Sequence, residues 1–386
     1  LAFCTVGAMA AGRENKLVVG STTALSGNFF SPAFGSNTSD LDVQTLLHGY
    51  HLVKWNGDEG SYVLNDRVVT SRVKTEDSQG NRTYTLTLCE DLRYSDGTPI
   101  TARDYAFSIL LNASAQMAEI GGAADGGACL LGAADYKDGA KALKGVRVLN
   151  DSHLAITVSA EYRPFFYELG LLDYAPYPIS VIAPGCEVAD DGSGAYIRNS
   201  GATATEPVFT AELLEKTILD PETGYMSHPS VVSGPYKLVS FDGQTAQFEI
   251  NEYYKGNAAG VKPSIEKITY KTVSNDTMVQ QLESGEIDLL NKCVAADTVQ
   301  KGIQAVSSED FSMANYARSG YSFMAFACEQ PTVAEKEVRQ AIAYCFDGRI
   351  RQGLRGQLRH ARGRLLRHRP VDVSGDQRRG CRARSR

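Results

Sequence analysis

Tyr94-Ser95-Asp96-Gly97-Thr98-Pro99-Ile100-Thr101-Ala102-Arg103-Asp104 is the most informative stretch of this 386-residue chain. Asp96-Gly97, with a proline two residues on, signals a tight turn, because Asp and Gly accept the backbone conformations that a turn imposes. Thr101 with Asp104 three positions later has the form of a capping box, in which two side chains satisfy backbone N–H groups reciprocally. A helix over 102–113 is therefore expected directly after a turn. On either side, strand patterns follow. Thr83–Leu88 alternates strictly, and 146–149 with 153–158 reads as a hairpin about Asn150-Asp151.

Further out the order stays mixed. Lys16–Gly20 reads as a buried strand, followed by a loop over 21–37 rich in Gly, Ser, Thr and Asn that carries Phe29, Phe30 and Phe34. A helical period spans 40–50, and strand-like runs lie at 62–64 and 68–70. Downstream, 164–172 reads as a helix and 186–208 as loop by composition. Strands are expected over 237–241 and 247–250 about Asp242-Gly243, then over 265–270. A helix over 276–285 closes on a glycine, and a strand follows at 287–290. The last expected elements are a strand over 320–327 and a helix over 333–346. That helix places Val338, Ala341, Ile342 and Cys345 on one face, with Cys345 as a small buried hydrophobe. Such an order suits an α/β protein built in lobes.

Two compositions are joined in this chain. Residues 1–347 carry a formal charge of −17, and residues 348–386 carry +11 from 13 Arg, no Lys and 2 Asp. All 34 aromatic residues lie at or before Phe346. An acidic body argues against a nucleic-acid partner, since phosphate binding needs clustered positive charge. The start, Leu1 to Ala10, is apolar and ends in an A-x-A sequence, which reads as the remnant of a signal peptide over 1–12. A buried first strand is the rival reading. Cys4 is a weak lipidation candidate, because Phe3 is bulky where a lipoprotein signal takes a small residue.

Catalytic motifs are lacking. The chain has no H-E-x-x-H, P-loop, G-x-S-x-G or C-x-x-C pattern. His48 and His51, three apart, fit one helix face, but two histidines fall short of a zinc set. No cofactor is indicated. The cysteines are too widely spaced to assign pairs. The loop at Ser26, Gly27, Asn28, Phe29 and Phe30 joins exposed amides to aromatic rings just after a strand, a natural place to grip a ligand. The rival reading is that Phe29 and Phe30 only fill the core.

Four separated segments share one resemblance. The 94–104 stretch resembles the "sDGtpltAxDv" signature of family 5 extracellular solute-binding proteins, which include oligopeptide-, dipeptide- and nickel-binding proteins of ABC importers. Gly234-Pro235-Tyr236-Lys237-Leu238 with Asn251-Glu252-Tyr253-Tyr254-Lys255-Gly256 is similar to its "GPYxl…NxxYxxG" strand pair. Gly285-Glu286-Ile287-Asp288 resembles its "GeiD" element, and Val338-Arg339-Gln340-Ala341-Ile342-Ala343-Tyr344 its "vRqAia" helix. Ala327, where Asn is common, and Gly348 after Asp347, where Arg is usual, depart from the pattern.

The resemblance implies a two-lobed periplasmic-binding-protein-like fold, type II, of the large peptide-binder subclass with an extra subdomain. Its implied segments are lobe 1 over 13–50 and 151–311, the extra subdomain over 51–150, and an incomplete lobe 2 beginning at 312–347. The lobes would close over a ligand by hinge motion. Ser26, Gly27, Asn28, Phe29 and Phe30 would face Ser319, Gly320 and Tyr321 as pocket walls, holding an extended peptide by backbone hydrogen bonds. The implied function is capture of di- or oligopeptides outside the cytoplasm, in the periplasm or at the cell surface, by a monomer that hands them to ABC permease subunits and their ATPase. No nucleic acid and no reaction are implied. A nickel or other small-solute binder of the same family is the alternative, and a secreted hydrolase is the alternative of another class. Residues 348–386 read as a frameshifted, aberrant tail, because a one-nucleotide regrouping of suitable codons restores aromatic text. A genuine basic tail for nucleic acid or anionic lipid is the rival.

Overall fold

The helix expected after the turn runs over Ala102–Asn112, and its start is built as the sequence suggests. Thr101 accepts from the Arg103 backbone N–H at 3.2 Å, while Asp104 Oδ2 accepts from the Thr101 N–H at 2.8 Å and its hydroxyl at 2.9 Å. Gly97 has φ 86°, and Asp96 Oδ1 accepts from the Thr98 N–H and hydroxyl, which makes the preceding turn. The computed structural model describes residues 2–5, 15–201, 207–293, 295–307, 311–314 and 324–345. These divide into two units, one over 15–19 and 23–272, the other holding 2–5, 20–22 and the described residues from 273 onward.

In the larger unit, an antiparallel sheet has the order Val69–Glu76, Arg82–Leu88, His153–Val158, Val146–Asn150. Alternation in Arg82–Leu88 sends Tyr84, Leu86 and Leu88 inward, against the Ala102–Asn112 helix in one core cluster. Tyr236–Phe241, Thr245–Ile250 and Lys267–Thr272 form a second antiparallel set, with Lys16–Val19 next in order. The Thr38–Leu47 helix begins two residues earlier than its period suggests, because Asn37 and Asp40 form a capping box. It ends at His48, so His48 and His51 share no helix face.

Two further segments depart from their expected form. Residues 186–208 are not simply loop: Cys186–Asp190 and Ala195–Asn199 pair as a hairpin about Asp191-Gly192-Ser193-Gly194. Asp190 anchors it by accepting from Arg147 Nε and the Val148 N–H, both at 2.8 Å. Over 164–172 only Glu168–Leu172 is helical, as a 3-10 turn. Glu168 is drawn instead to Arg82 Nη1 and the Tyr84 hydroxyl, each at 2.7 Å.

In the smaller unit, Leu289–Asn291, Ala2–Thr5 and Phe311–Ala314 lie side by side, antiparallel. Ala2–Thr5 belongs to the stretch with leader-like composition and is placed here as a strand. Met278–Glu283 is a helix, and Gly285, at φ 75°, lets the chain turn back so that Ile287 is fully buried. The helix expected over 333–346 is two, Pro331–Ala334 and Lys336–Cys345, because Glu335 is extended between them. Cys345 is exposed rather than buried, since nothing among the described residues covers that face. Met324–Ala327 has no regular structure; the rest of that expected strand, Phe346 and the tail over 348–386 lie outside the described residues. Among the described residues, no helix is long and apolar enough to cross a membrane.

Candidate ligand-binding site

The loop after the first strand is held from beneath by the helix that follows it. Asp40, in the first turn of Thr38–Leu47, accepts from the Ser26 N–H at 2.9 Å and the Ser26 hydroxyl at 2.7 Å. One turn on, Gln44 Nε2 donates to the Asn28 carbonyl at 2.8 Å. At the helix end, His48 Nε2 donates to the Phe29 carbonyl at 2.9 Å. Asp40, Gln44 and His48 are four residues apart and so lie on one face, which meets three successive parts of the loop.

Inside the loop, Asn28 Nδ2 donates to the Ser31 and Gly35 carbonyls, and its Oδ1 accepts from the Phe30 and Ser31 N–H groups. Gly27 has φ 86°, and a Cβ there would lie 3.1 Å from the Phe241 ring. Phe29 packs edge-on against Phe241 at 4.7 Å, and its N–H donates to the Met226 carbonyl at 2.8 Å. Phe30 meets Tyr177, Tyr225 and His48. Phe29 and Phe30 are fully buried and Asn28 nearly so, which leaves Ser26 exposed. The two aromatic rings therefore fill the core, and of residues 26–30 only Ser26 reaches the surface. Ser319, Gly320 and Tyr321 lie outside the described residues.

His48 sits in an aromatic enclosure, and burial pushes its pKa down to about 4, against the opposing pull of the Phe29 carbonyl. Being neutral, it serves as a donor to that carbonyl and is no proton carrier at pH 7. His51 bonds Asp173 at 2.6 Å instead. Among the described residues no group of three or more His, Cys, Asp or Glu side chains is arranged to hold a metal ion. Ser152 and His153 approach at 3.2 Å, but they are neighbours in a hairpin turn. The His153 Nδ1–H is committed to Asn150 Oδ1 at 2.9 Å, so it is no base for Ser152.

The motif residues of the larger unit meet one another away from this loop. Gly234 donates to the Leu47 carbonyl at 2.7 Å, and a Cβ on Gly234 would collide with the Leu46 carbonyl oxygen. Asn251 Nδ2 donates to the Gly234 carbonyl, Tyr254 stacks on Tyr50 at 5.1 Å, and the Tyr253 ring covers Gly97. These segments form a structural joint within the larger unit. Asp40, Gln44 and His48, which shape the loop, were missed by sequence reasoning; the Asn37–Asp40 capping pattern and the spacing of four were the available signals.

Residues 67–349 match the profile described as bacterial extracellular solute-binding proteins, family 5 Middle. The chain is 26% identical over 277 residues to the oligopeptide-binding protein OppA of Lactococcus lactis subsp. lactis, covering 68% of this chain and 41% of that one. It is 23% identical over 365 residues to the probable D,D-dipeptide-binding periplasmic protein DdpA of Escherichia coli, covering 92% and 58%. The chain thus spans about two fifths of the length of its lactococcal relative. Its fold is similar to that of Haemophilus influenzae OppA in complex with RPPGFSPFR, with TM-score 0.54 and 19% identity over 76% of this chain and 49% of that one. It is also similar to that of Campylobacter jejuni NikZ in complex with Ni(L-His), with TM-score 0.54 and 16% identity over 89% and 56%. The α/β binding-protein fold expected from the sequence is the fold found.

Proposed function

The chain belongs to the bacterial extracellular solute-binding proteins of family 5, and on that premise we propose that it captures di- or oligopeptides for an ABC importer. Capture is non-covalent, and the peptide passes unaltered to the permease subunits and their ATPase. The site of action is the periplasm or the cell surface. The observation that carries the reading is the agreement of the profile over 67–349 with relatives described as oligopeptide- and dipeptide-binding. The Ser26–Phe30 loop is the proposed contact in the larger unit. Its exposed element is Ser26, with Asn28, Phe29 and Phe30 fixing the shape of the loop. Capture through the peptide's own backbone tolerates varied peptide side chains.

The test is thermal melting against a defined peptide library, with the peptides recovered and weighed by mass spectrometry. A ligand at one hundred times its Kd stabilises by about 2.7 kcal/mol, so a binder raises Tm measurably. We expect a rise with intact peptides, and cleaved peptides would overturn the reading in favour of hydrolysis. The likeness to NikZ favours a second reading, a nickel–histidine chelate as the solute. A rise with that chelate and with no peptide would select it.

A further inference from the structure

The aromatic residues of the larger unit are not all in the core. Trp55 and Tyr62 are partners across the hairpin Val53–Asn56 and Ser61–Leu64, with ring centroids 5.2 Å apart. Gly170 approaches the Tyr62 ring so closely that a Cβ there would lie 2.9 Å from it, and this brings 165–172 against the hairpin. Tyr167 then touches Trp55 at 5.8 Å, Tyr62 at 6.2 Å, Phe165 at 6.1 Å and Phe166 at 4.8 Å. Five rings thus form one contiguous group, and four are open to solvent: Phe166 75%, Trp55 52%, Phe165 46% and Tyr167 39%. Contiguous exposed aromatic surface of this kind marks interaction sites, where Trp and Tyr carry much of the binding energy.

The surrounding charge selects the partner. Asp58 and Glu59 lie exposed in the turn that closes the same hairpin, and Glu161 is exposed at the start of the neighbouring segment. The nearby cations are already engaged: Lys54 with Asp66 at 3.7 Å, and Arg163 with Glu76 at 2.8 Å and Glu168 at 3.5 Å. A negative edge beside open aromatic faces repels anionic lipid and nucleic acid, whereas it attracts a cation that can also rest on a ring face. We infer that the surface of Trp55, Tyr62, Phe166 and Tyr167, with Asp58 and Glu59 at its edge, docks a basic polypeptide segment that presents arginine or lysine beside apolar side chains. It is separate from the Ser26–Phe30 loop and does not rest on the peptide-capture reading.

Trp55 is the sole tryptophan of the chain, so its fluorescence reports on this surface directly. The experiment titrates the whole chain with an arginine- and leucine-containing peptide blocked at both ends, and in parallel with a glutamate-containing peptide of equal length. The expected result is a saturable emission change with the basic peptide alone, weakening several-fold between about 50 and about 200 mM salt as exposed charges are screened. Asp58→Asn with Glu59→Gln should weaken the response by about tenfold. Phe166→Ala, at a site too exposed to disturb folding, should also weaken it. Equal responses to both peptides, an unchanged response in either variant, a response to anionic vesicles instead, or an emission change that follows chain concentration and dimer formation would each overturn the inference.

Discussion

The helices Ala102–Asn112 and Lys336–Cys345 are nearly equal in length, and the sequence marks the first by its capping box and the second by an apolar face. They end in opposite circumstances. The first buries nine of its eleven residues, and the second buries none. The difference lies in what surrounds them: Ala102–Asn112 is enclosed by the four-stranded sheet and the Cys186–Asn199 hairpin, whereas no described residue covers the Val338, Ala341 and Cys345 face. A periodic stripe says that a helix has an apolar side and nothing about whether that side is met. Stability follows the meeting.

The sharpest way to break this comparison is to cut both helices. Phe107→Ala removes a fully buried ring and should cost about 3–5 kcal/mol, read by denaturant unfolding. A loss below about 1 kcal/mol would mean that the core around this helix relaxes to fill the space. Next in size is a pH effect with two opposing parts. His48, held at about 4 in the fold against 6.5 unfolded, withholds a proton that the unfolded chain takes up. Its stability is complete above pH 6.5 and is lost as pH falls toward 4. Asp104, pushed up to about 6 by burial, does the reverse: it gains stability as pH falls from 6 to 3.8. Each spans about 3 kcal/mol at most, so they offset one another. In Asp104→Asn, Tm should fall more steeply between pH 6.5 and 4.5 than in the native chain.

A smaller effect tests the helix start. Thr101→Ala removes one half of the capping box and should cost about 1 kcal/mol in the same unfolding measurement. Ile342→Ala, in the uncovered helix, should shift stability by less than about 0.5 kcal/mol. A larger loss there would show that the stripe of Lys336–Cys345 is covered after all.

What was legible in the sequence is what neighbours in sequence decide. The Asp96-Gly97 turn, the Thr101–Asp104 box, the alternation of Arg82–Leu88 and the hairpin at Asn150-Asp151 all rest on residues within a few positions of one another. The Cys186–Asn199 hairpin was missed because its anchor, Arg147 to Asp190, spans 43 residues. Its own composition, with Gly192 and Gly194 flanking Ser193, reads as loop. The segment over 164–172 was read as a helix because nothing local reveals that Glu168 is claimed by Arg82 and Tyr84. In the candidate site, position in sequence located the loop, but the burial of Phe29 and Phe30 depends on Met226, Tyr225 and Phe241, about 200 residues away. Those contacts leave no mark in the loop's own sequence.

The joint at Gly234 has a consequence in time. Gly49 donates to Ser233 across 184 residues, and Lys255 to the Tyr50 hydroxyl across 205. On a ribosome adding about 5–20 residues each second, the strand and helix at 16–47 wait about 10–40 s for those partners to emerge. During that interval the four-stranded sheet, complete by residue 158, has all its strands. The order of synthesis thus completes the strands of the 69–158 sheet before the segment over 16–47 meets its partners.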